Sequence, residues 1–302
     1  MRRGQTKMRK ILIAGMMLAG MTFGAQAADP SMGMMTMPGA APVLSGHLEI
    51  YGQKASQDYW DDYYNPWWGL GGAARVNWWL QPGWSSQFDF AGQVVRESYD
   101  NYYWSGSLYG AAHVSKRTDN YLIGLFGGVA ATSDYEGYTG WDMSVFGGVE
   151  GQVYWGNFTL YAQGGFIKQL SGYYGSSTSY GSEYLFGLPF AQIEARYFVT
   201  PNTKISANVG IVSGNLWGYY GAHTQLSYGA EIEHKFSTNP VSVFARLQGF
   251  SGSGYYEIQG HRLMVGAKLN FGTDTLFDQD RNGATLKVME DLAPIGDVRA
   301  FD

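Results

Sequence analysis

The stretch 222-AHTQLSYGAEIEHKFSTNPVSVFARLQGF-250 decides the fold. Leu226, Tyr228, Ala230 and Ile232 alternate with Gln225, Ser227, Glu231 and Glu233. Beyond Ser237–Asn239, Val241, Val243, Ala245 and Leu247 alternate with Ser242, Arg246 and Gln248. A period of two marks strands with one apolar and one polar face. Asn and Pro between the two runs read as a turn. If that turn is tight, Glu231 stands directly opposite Arg246.

The same pattern recurs along the chain. Twelve segments carry it: 43–53, 69–80, 84–97, 107–117, 120–132, 141–155, 158–169, 183–199, 203–213, 222–236, 240–250 and 259–271. Most are far longer than the ~5–6 residues of an ordinary soluble strand, and match the ~9–11 needed by a tilted membrane strand. Five short connections interleave with six long ones. A soluble β-sandwich would need a partner layer for the apolar face, and its core would have to hold the charges of the polar face. A closed transmembrane barrel puts the polar face inside and the apolar face outside, with every backbone group paired. The fold class is therefore all-β: an antiparallel transmembrane β-barrel of about twelve strands. Trp67, Trp68, Trp78, Trp79, Trp84, Trp141 and Trp155 fall near strand ends, where a membrane interface favours them.

Composition agrees. Of 302 residues, 43 are Gly and 16% are aromatic, only 15% are charged, and Cys is absent. The missing Cys excludes disulfide scaffolds and Cys-ligated zinc or iron–sulfur sites. The net charge of −5 argues against a nucleic-acid partner. Residues 1–10 are basic, 11–24 are apolar and small, and Ala25-Gln-Ala27 follows. These are the three parts of a cleavable signal peptide over 1–27, with Ala25 and Ala27 at the cleavage site. Its removal takes five basic residues and shifts the net charge to −10. Residues 28–42 read as a flexible N-terminal segment, 43–271 as the barrel, and 272–302 as an acidic tail.

The last segment ends in MVGAKLNF, with Gly266, Leu269 and Phe271 spaced as Gly, hydrophobic at +3 and aromatic at +5. This resembles the C-terminal assembly signal of Gram-negative outer-membrane β-barrel proteins, and the chain is similar to small porin-like barrels over 43–271. It departs from them in Met264, where a polar residue is usual, and in the 31 residues beyond Phe271. The resemblance implies the cell outer membrane, with lipid and lipopolysaccharide around the wall and the barrel-assembly machinery as a partner.

Eight strands leave an interior just filled by side chains, and sixteen or more leave an aqueous channel, so at twelve the side chains decide. Alternation points Glu49, Arg75, Asp89, Glu150, Glu194, Arg196, Lys204, Glu231, Glu233, Arg246, Arg262 and Lys268 inward. Ala91, Ala111, Gly124, Gly128, Ser206 and Ser227 also point inward. Arg75 should lie opposite or diagonal to Asp89. Phe126 and Leu122 should also point inward, which argues against a wide pore. The reading is a narrow passive channel for small hydrophilic solutes, constricted by Glu49, Arg75, Asp89, Glu231, Arg246 and Arg262. The rival is a closed structural or interaction barrel whose aromatic loops bind a surface partner.

No enzyme or cofactor is read. His113 and Ser115 share a face but sit near the tight Thr118–Asp119 connection, with Lys116 and Arg117 beside them. Asp278-Gln-Asp280-Arg-Asn282-Gly283 resembles the start of a calcium loop, but position 12 would be Met289 rather than Glu, so no metal is assigned. The tail is read as a disordered periplasmic extension, with a fold-back plug as the alternative.

Overall fold

A computed structural model describes residues 44–59, 63–97, 104–133, 141–171, 188–214, 223–253 and 258–288. The signal peptide, its cleavage site at Ala25 and Ala27, and the 28–42 segment lie outside the described residues, as do most of the long connections.

Twelve strands follow one another: β1 Leu44–Tyr59, β2 Tyr63–Gln81, β3 Trp84–Glu97, β4 Trp104–Arg117, β5 Tyr121–Ser133, β6 Trp141–Trp155, β7 Phe158–Ser171, β8 Leu188–Thr200, β9 Thr203–Gly214, β10 His223–Lys235, β11 Val241–Ser253 and β12 Ile258–Phe271. Each pairs antiparallel with its neighbours in the chain, and β1 pairs with β12. The sheet is a closed barrel with no free edge. Alternation located all twelve strands. The first hairpin runs longer than expected, because its ladder continues to the pair Tyr59–Tyr63. β8 is described from Leu188, and the expected stretch 183–187 lies outside the described residues.

The outer wall is apolar. Ile50, Leu70, Leu125 and Val149 are 61–71% exposed, and Leu48, Phe90, Ile123, Ile193 and Val265 are also bare. No soluble monomer tolerates so continuous an apolar surface. It is the lipid-facing band of a transmembrane barrel. Trp78, Trp84 and Trp155 face outward at the turn end, and Trp68 faces outward towards the other end. Trp67 and Trp79 do not join them. Trp67 is buried, and the Trp79 indole N–H donates to the Asn282 carbonyl at 2.8 Å inside the barrel. In β2 they share the parity of Arg75 and Asn77, so they face inward.

At the turn end, β2–β3 and β6–β7 close through two-residue turns with positive-φ glycines at Gly83 and Gly156. Gly272 follows β12 with φ 77°, and a β-carbon there would stand 2.1 Å from the Leu44 carbonyl oxygen. Only glycine fits, and it turns the chain back under the barrel. Helix α1, Leu276–Asn282, follows, with the Thr275 hydroxyl accepting from the Asp278 N–H. Its residues Leu276, Gln279, Asp280 and Arg281 are buried, as are Gly283–Leu286 and Val288.

The tail as far as residue 288 is therefore folded into the barrel, and the disorder expected for it does not hold over 272–288. Its order comes from partners on the barrel wall and not from its own periodicity. The Asp278–Gly283 run is helix and helix end, not a calcium loop. Residues 289–302 lie outside the described residues.

Candidate functional site

The interior side chains fall into three groups. The first links β9, β10, β11, β12 and β1. Arg246 lies opposite Glu231, as the turn predicts, and the two pair at 2.5 Å. Arg246 also reaches Glu49 at 3.4 Å. Lys268 lies 2.8 Å from Glu233, and Lys204 lies 2.9 Å from Glu233 and 3.2 Å from Glu231. Ser242 donates a further bond to Glu233 at 2.7 Å. Opposite charges in alternate positions on neighbouring strands thus form one continuous network.

The second group crosses β2, β3, β4, β6 and β7. Arg75 lies opposite Asp89, and its guanidinium donates to that carboxylate at 3.0 Å. His113 Nδ1 lies 2.8 Å from Glu150, whose other oxygen accepts from the Tyr161 hydroxyl at 2.8 Å. Ser115 bonds with Ser85 at 3.1 Å. The His113 and Ser115 side chains thus serve different partners.

The third group is a layer of amides. Arg262 donates to Gln248 at 2.6 Å and to Gln93 at 3.2 Å, and Gln53 also donates to Gln93, at 3.0 Å. The six residues expected at a constriction are therefore divided. Glu49, Glu231 and Arg246 come together, Arg75 and Asp89 form a pair, and Arg262 belongs with the amides.

Gly266 also faces inward, opposite Phe244. A β-carbon at Gly266 would meet that ring at 2.7 Å and the Ile50 carbonyl oxygen at 2.2 Å, so wall geometry alone demands glycine there. Leu269 faces lipid at 47% exposure, and Phe271 ends β12 half-buried.

The C-terminal segment, read from sequence as a disordered extension with a fold-back plug as the alternative, crosses the turn end inside the barrel as far as residue 288. Lys235 donates to the Asp274 carbonyl, and the Phe277 N–H donates to the Pro201 carbonyl. Gln279 meets His47, and Arg117 donates to the carbonyls of Arg281 and Gly283. Arg281 donates to the Gly156 carbonyl. Higher in the lumen, Gln87 bonds both the N–H and the carbonyl of Leu286, and the Tyr161 hydroxyl lies 2.7 Å from the Lys287 carbonyl, which shares its one proton with Glu150. Leu286 packs with Leu122, Tyr154 and Tyr161. Val288 packs with Phe126, Phe146, Ile167, Phe190 and Val212. Phe126 and Leu122 do face inward, and they help hold this segment.

Asp280 is the tightest point of the seal. Its carboxylate accepts from the Thr159 hydroxyl at 2.6 Å, Arg196 at 2.8 Å, Thr285 at 3.0 Å and Arg281 at 3.1 Å. Burial works to raise the Asp280 carboxyl, but the Arg196 and Arg281 guanidiniums overcome it and hold it below the ordinary carboxylate range. Lys287 adds a bridge to Glu194 at 3.2 Å.

The lumen is thus filled on the β4–β8 side. Beside the filled part lies a solvent-connected cavity lined from β1 to β4 and from β8 to β12. Its wall includes Glu49, Arg75, Lys204, Glu231, Arg246 and Lys268, and its floor is Leu276, Gln279, Asp280, Ala284, Thr285 and Lys287 of the tail.

No family model matches the chain, and no curated protein is significantly similar in sequence. Among solved structures it is similar to an outer-membrane channel from Pseudomonas putida F1, at 17% identity and a TM-score of 0.49 over 78% of this chain and all of that one. It is also similar to the KdgM porin, at 10% identity and a TM-score of 0.44 over 74% of this chain and 99% of that one. A third is the translocator domain of the autotransporter NalP from Neisseria meningitidis, at 13% identity and a TM-score of 0.43 over 75% and 89% of the two chains. At this distance the likeness extends to barrel architecture and no further. The closed twelve-strand order, the bare apolar belt and the charged interior make this chain a transmembrane antiparallel β-barrel with a polar lumen.

Proposed function

We propose that the protein is a passive channel for small hydrophilic solutes, closed at its turn end in this form by residues 272–288. The observation that carries the reading is the unfilled, charged cavity in the lumen. A barrel that served only as a scaffold would gain stability by filling that space with apolar side chains, since buried ion pairs contribute little net stability. Charged side chains around open space instead offer a hydrated path that screens solutes by charge. Glu49, Glu231 and Arg246 form the narrow part of that path, with Arg75, Asp89 and Arg262 along it. The turn end faces the periplasm, lipopolysaccharide surrounds the loop end, and Gly266, Leu269 and Phe271 engage the assembly machinery.

One observation favours a second reading, a permanently closed barrel with a role in surface interaction. The tail is deeply buried and bonded to eight of the twelve strands. Planar-bilayer recording of the refolded mature chain separates the two. Discrete steps whose ion selectivity moves towards cations in Arg246→Glu support the channel. Silence from folded, heat-modifiable protein, in both wild type and Asp280→Asn, overturns it.

A further inference from the structure

We propose that the lumen takes small carboxylate-bearing solutes, and that Asp280 of the C-terminal segment occupies the solute's carboxylate position at Arg196 and Thr159 as an internal competitor. The proposal rests on the channel reading and supplies its substrate class.

Three observations support it. First, the site is built to hold a carboxylate. Arg196 and Thr159 are fully buried wall residues on neighbouring strands, opposite each other in register. They donate to the two oxygens of one carboxylate at 2.8 and 2.6 Å. A guanidinium and a hydroxyl aimed at one carboxylate make a strong, directional recognition unit. Arg196 itself is oriented by Glu194 at 2.9 Å, so its position does not depend on Asp280 alone.

Second, the occupant is removable in principle. Asp280 comes from a segment tethered at Gly272, and two of its four donors, Arg281 and Thr285, belong to that same segment. A free carboxylate would replace it with the wall's two donors intact.

Third, the Arg196 half of the position lies on the cavity, while Thr159 is fully buried beneath Asp280 and is reached once Asp280 leaves. Arg196, Asp280 and Thr285 all line the space. Among the described wall residues, Arg75, Arg196, Lys204, Arg246, Arg262 and Lys268 line it against Glu49, Glu194, Glu231 and Glu233. Even counting Asp89, which pairs with Arg75, bases outnumber acids. An anion entering the cavity therefore meets a favourable field and is drawn towards Arg196.

The test uses the full mature chain, folded in detergent and checked by heat-modifiable mobility. Succinate and glucose are titrated by calorimetry into wild type, Asp280→Asn, Thr159→Ala and Asp280→Asn combined with Arg196→Gln. The proposal expects succinate to bind Asp280→Asn about tenfold or more tightly than wild type, because the competitor has lost its charge. It expects Thr159→Ala to weaken succinate binding, and the Arg196→Gln combination to abolish it. Glucose should not discriminate among the variants. Equal succinate binding in wild type and Asp280→Asn overturns the proposal, as does succinate binding that survives in the folded Arg196→Gln combination. Bilayer recording distinguishes this failure from failure of the channel. Current steps that succinate neither blocks nor alters leave a channel without this site. Competitive succinate binding in a silent barrel leaves the site and removes the channel.

Discussion

Gly272 and Tyr161 are where single atoms decide most. Gly272 combines a positive φ with a β-carbon position 2.1 Å from a backbone oxygen, so Gly272→Ala is strained in conformation and in space. The substitution should release the tail without unfolding the barrel. Limited proteolysis should remove the segment after β12 while heat-modifiable mobility persists; a tail as resistant as the wild type's would contradict this. The fully buried Tyr161 hydroxyl lies between Glu150 and the Lys287 carbonyl, at 2.8 and 2.7 Å. Tyr161→Phe removes the single hydroxyl proton that these two acceptors share, at a cost of about 1–3 kcal/mol. Urea titration of the folded barrel should show a lower midpoint. Residue-level reading of the sequence was good wherever a partner lay across one tight turn. Glu231–Arg246 follows from parity and turn length alone, whereas Arg75, expected opposite or diagonal to Asp89, is set directly opposite by the register shift between Trp79 and Gln81. Asp280–Arg196 does not, because 84 residues separate them and no alternation links them.

Among the elements, strands were legible because alternation repeats in each one. A strand with one lipid face and one wet face must alternate for its whole length, and the barrel makes that length unusual. The two inward tryptophans show how parity outranks composition. In each of the pairs Trp67–Trp68 and Trp78–Trp79 only one ring can face lipid, and the inward parity of Arg75 and Asn77 selects which. Helix α1 was illegible for the opposite reason. It has seven residues, no apolar stripe and a capping threonine, and its order comes from wall side chains brought together only when the sheet closes. Parity also makes a prediction about faces. Leu125→Arg places a charge on the bare apolar belt, at a cost of about 2–4 kcal/mol if the site lies near the midplane. Ser206→Arg, on the polar face of β9, should cost less. The folded fraction of each on refolding into bilayers of fixed composition measures the difference, and equal losses would mean the faces are wrongly assigned.

For the whole molecule, two tiers of stability are superposed: a hydrogen-bonded wall, and a seal held largely by charged side chains. The Asp280 carboxyl is held below its ordinary range, so its contribution is complete above the ordinary aspartate value. It is lost as pH falls through the depressed one. Acid should therefore loosen the seal first, since protonated Asp280 no longer holds Arg196 and Arg281 by charge. Protease accessibility of the tail, followed from neutral pH down through and below the ordinary aspartate range, should rise while the barrel stays heat-modifiable. A tail that remains protected until the barrel itself opens would show that the seal is not electrostatic.

The place where the seal is tethered has a consequence for how the molecule is made. Gly272 leaves β12 beside Leu44, the first residue of β1, at the very seam that turns the sheet into a cylinder. The segment beyond it binds strands on both sides of that seam, from His47 in β1 to Lys235 in β10. An unclosed sheet has no such set of partners, so the tail has nowhere to dock until the first and last strands have met. Docking of the tail is thus a timestamp for seam closure, and a nascent chain with a protected C-terminal segment is one whose cylinder is already complete.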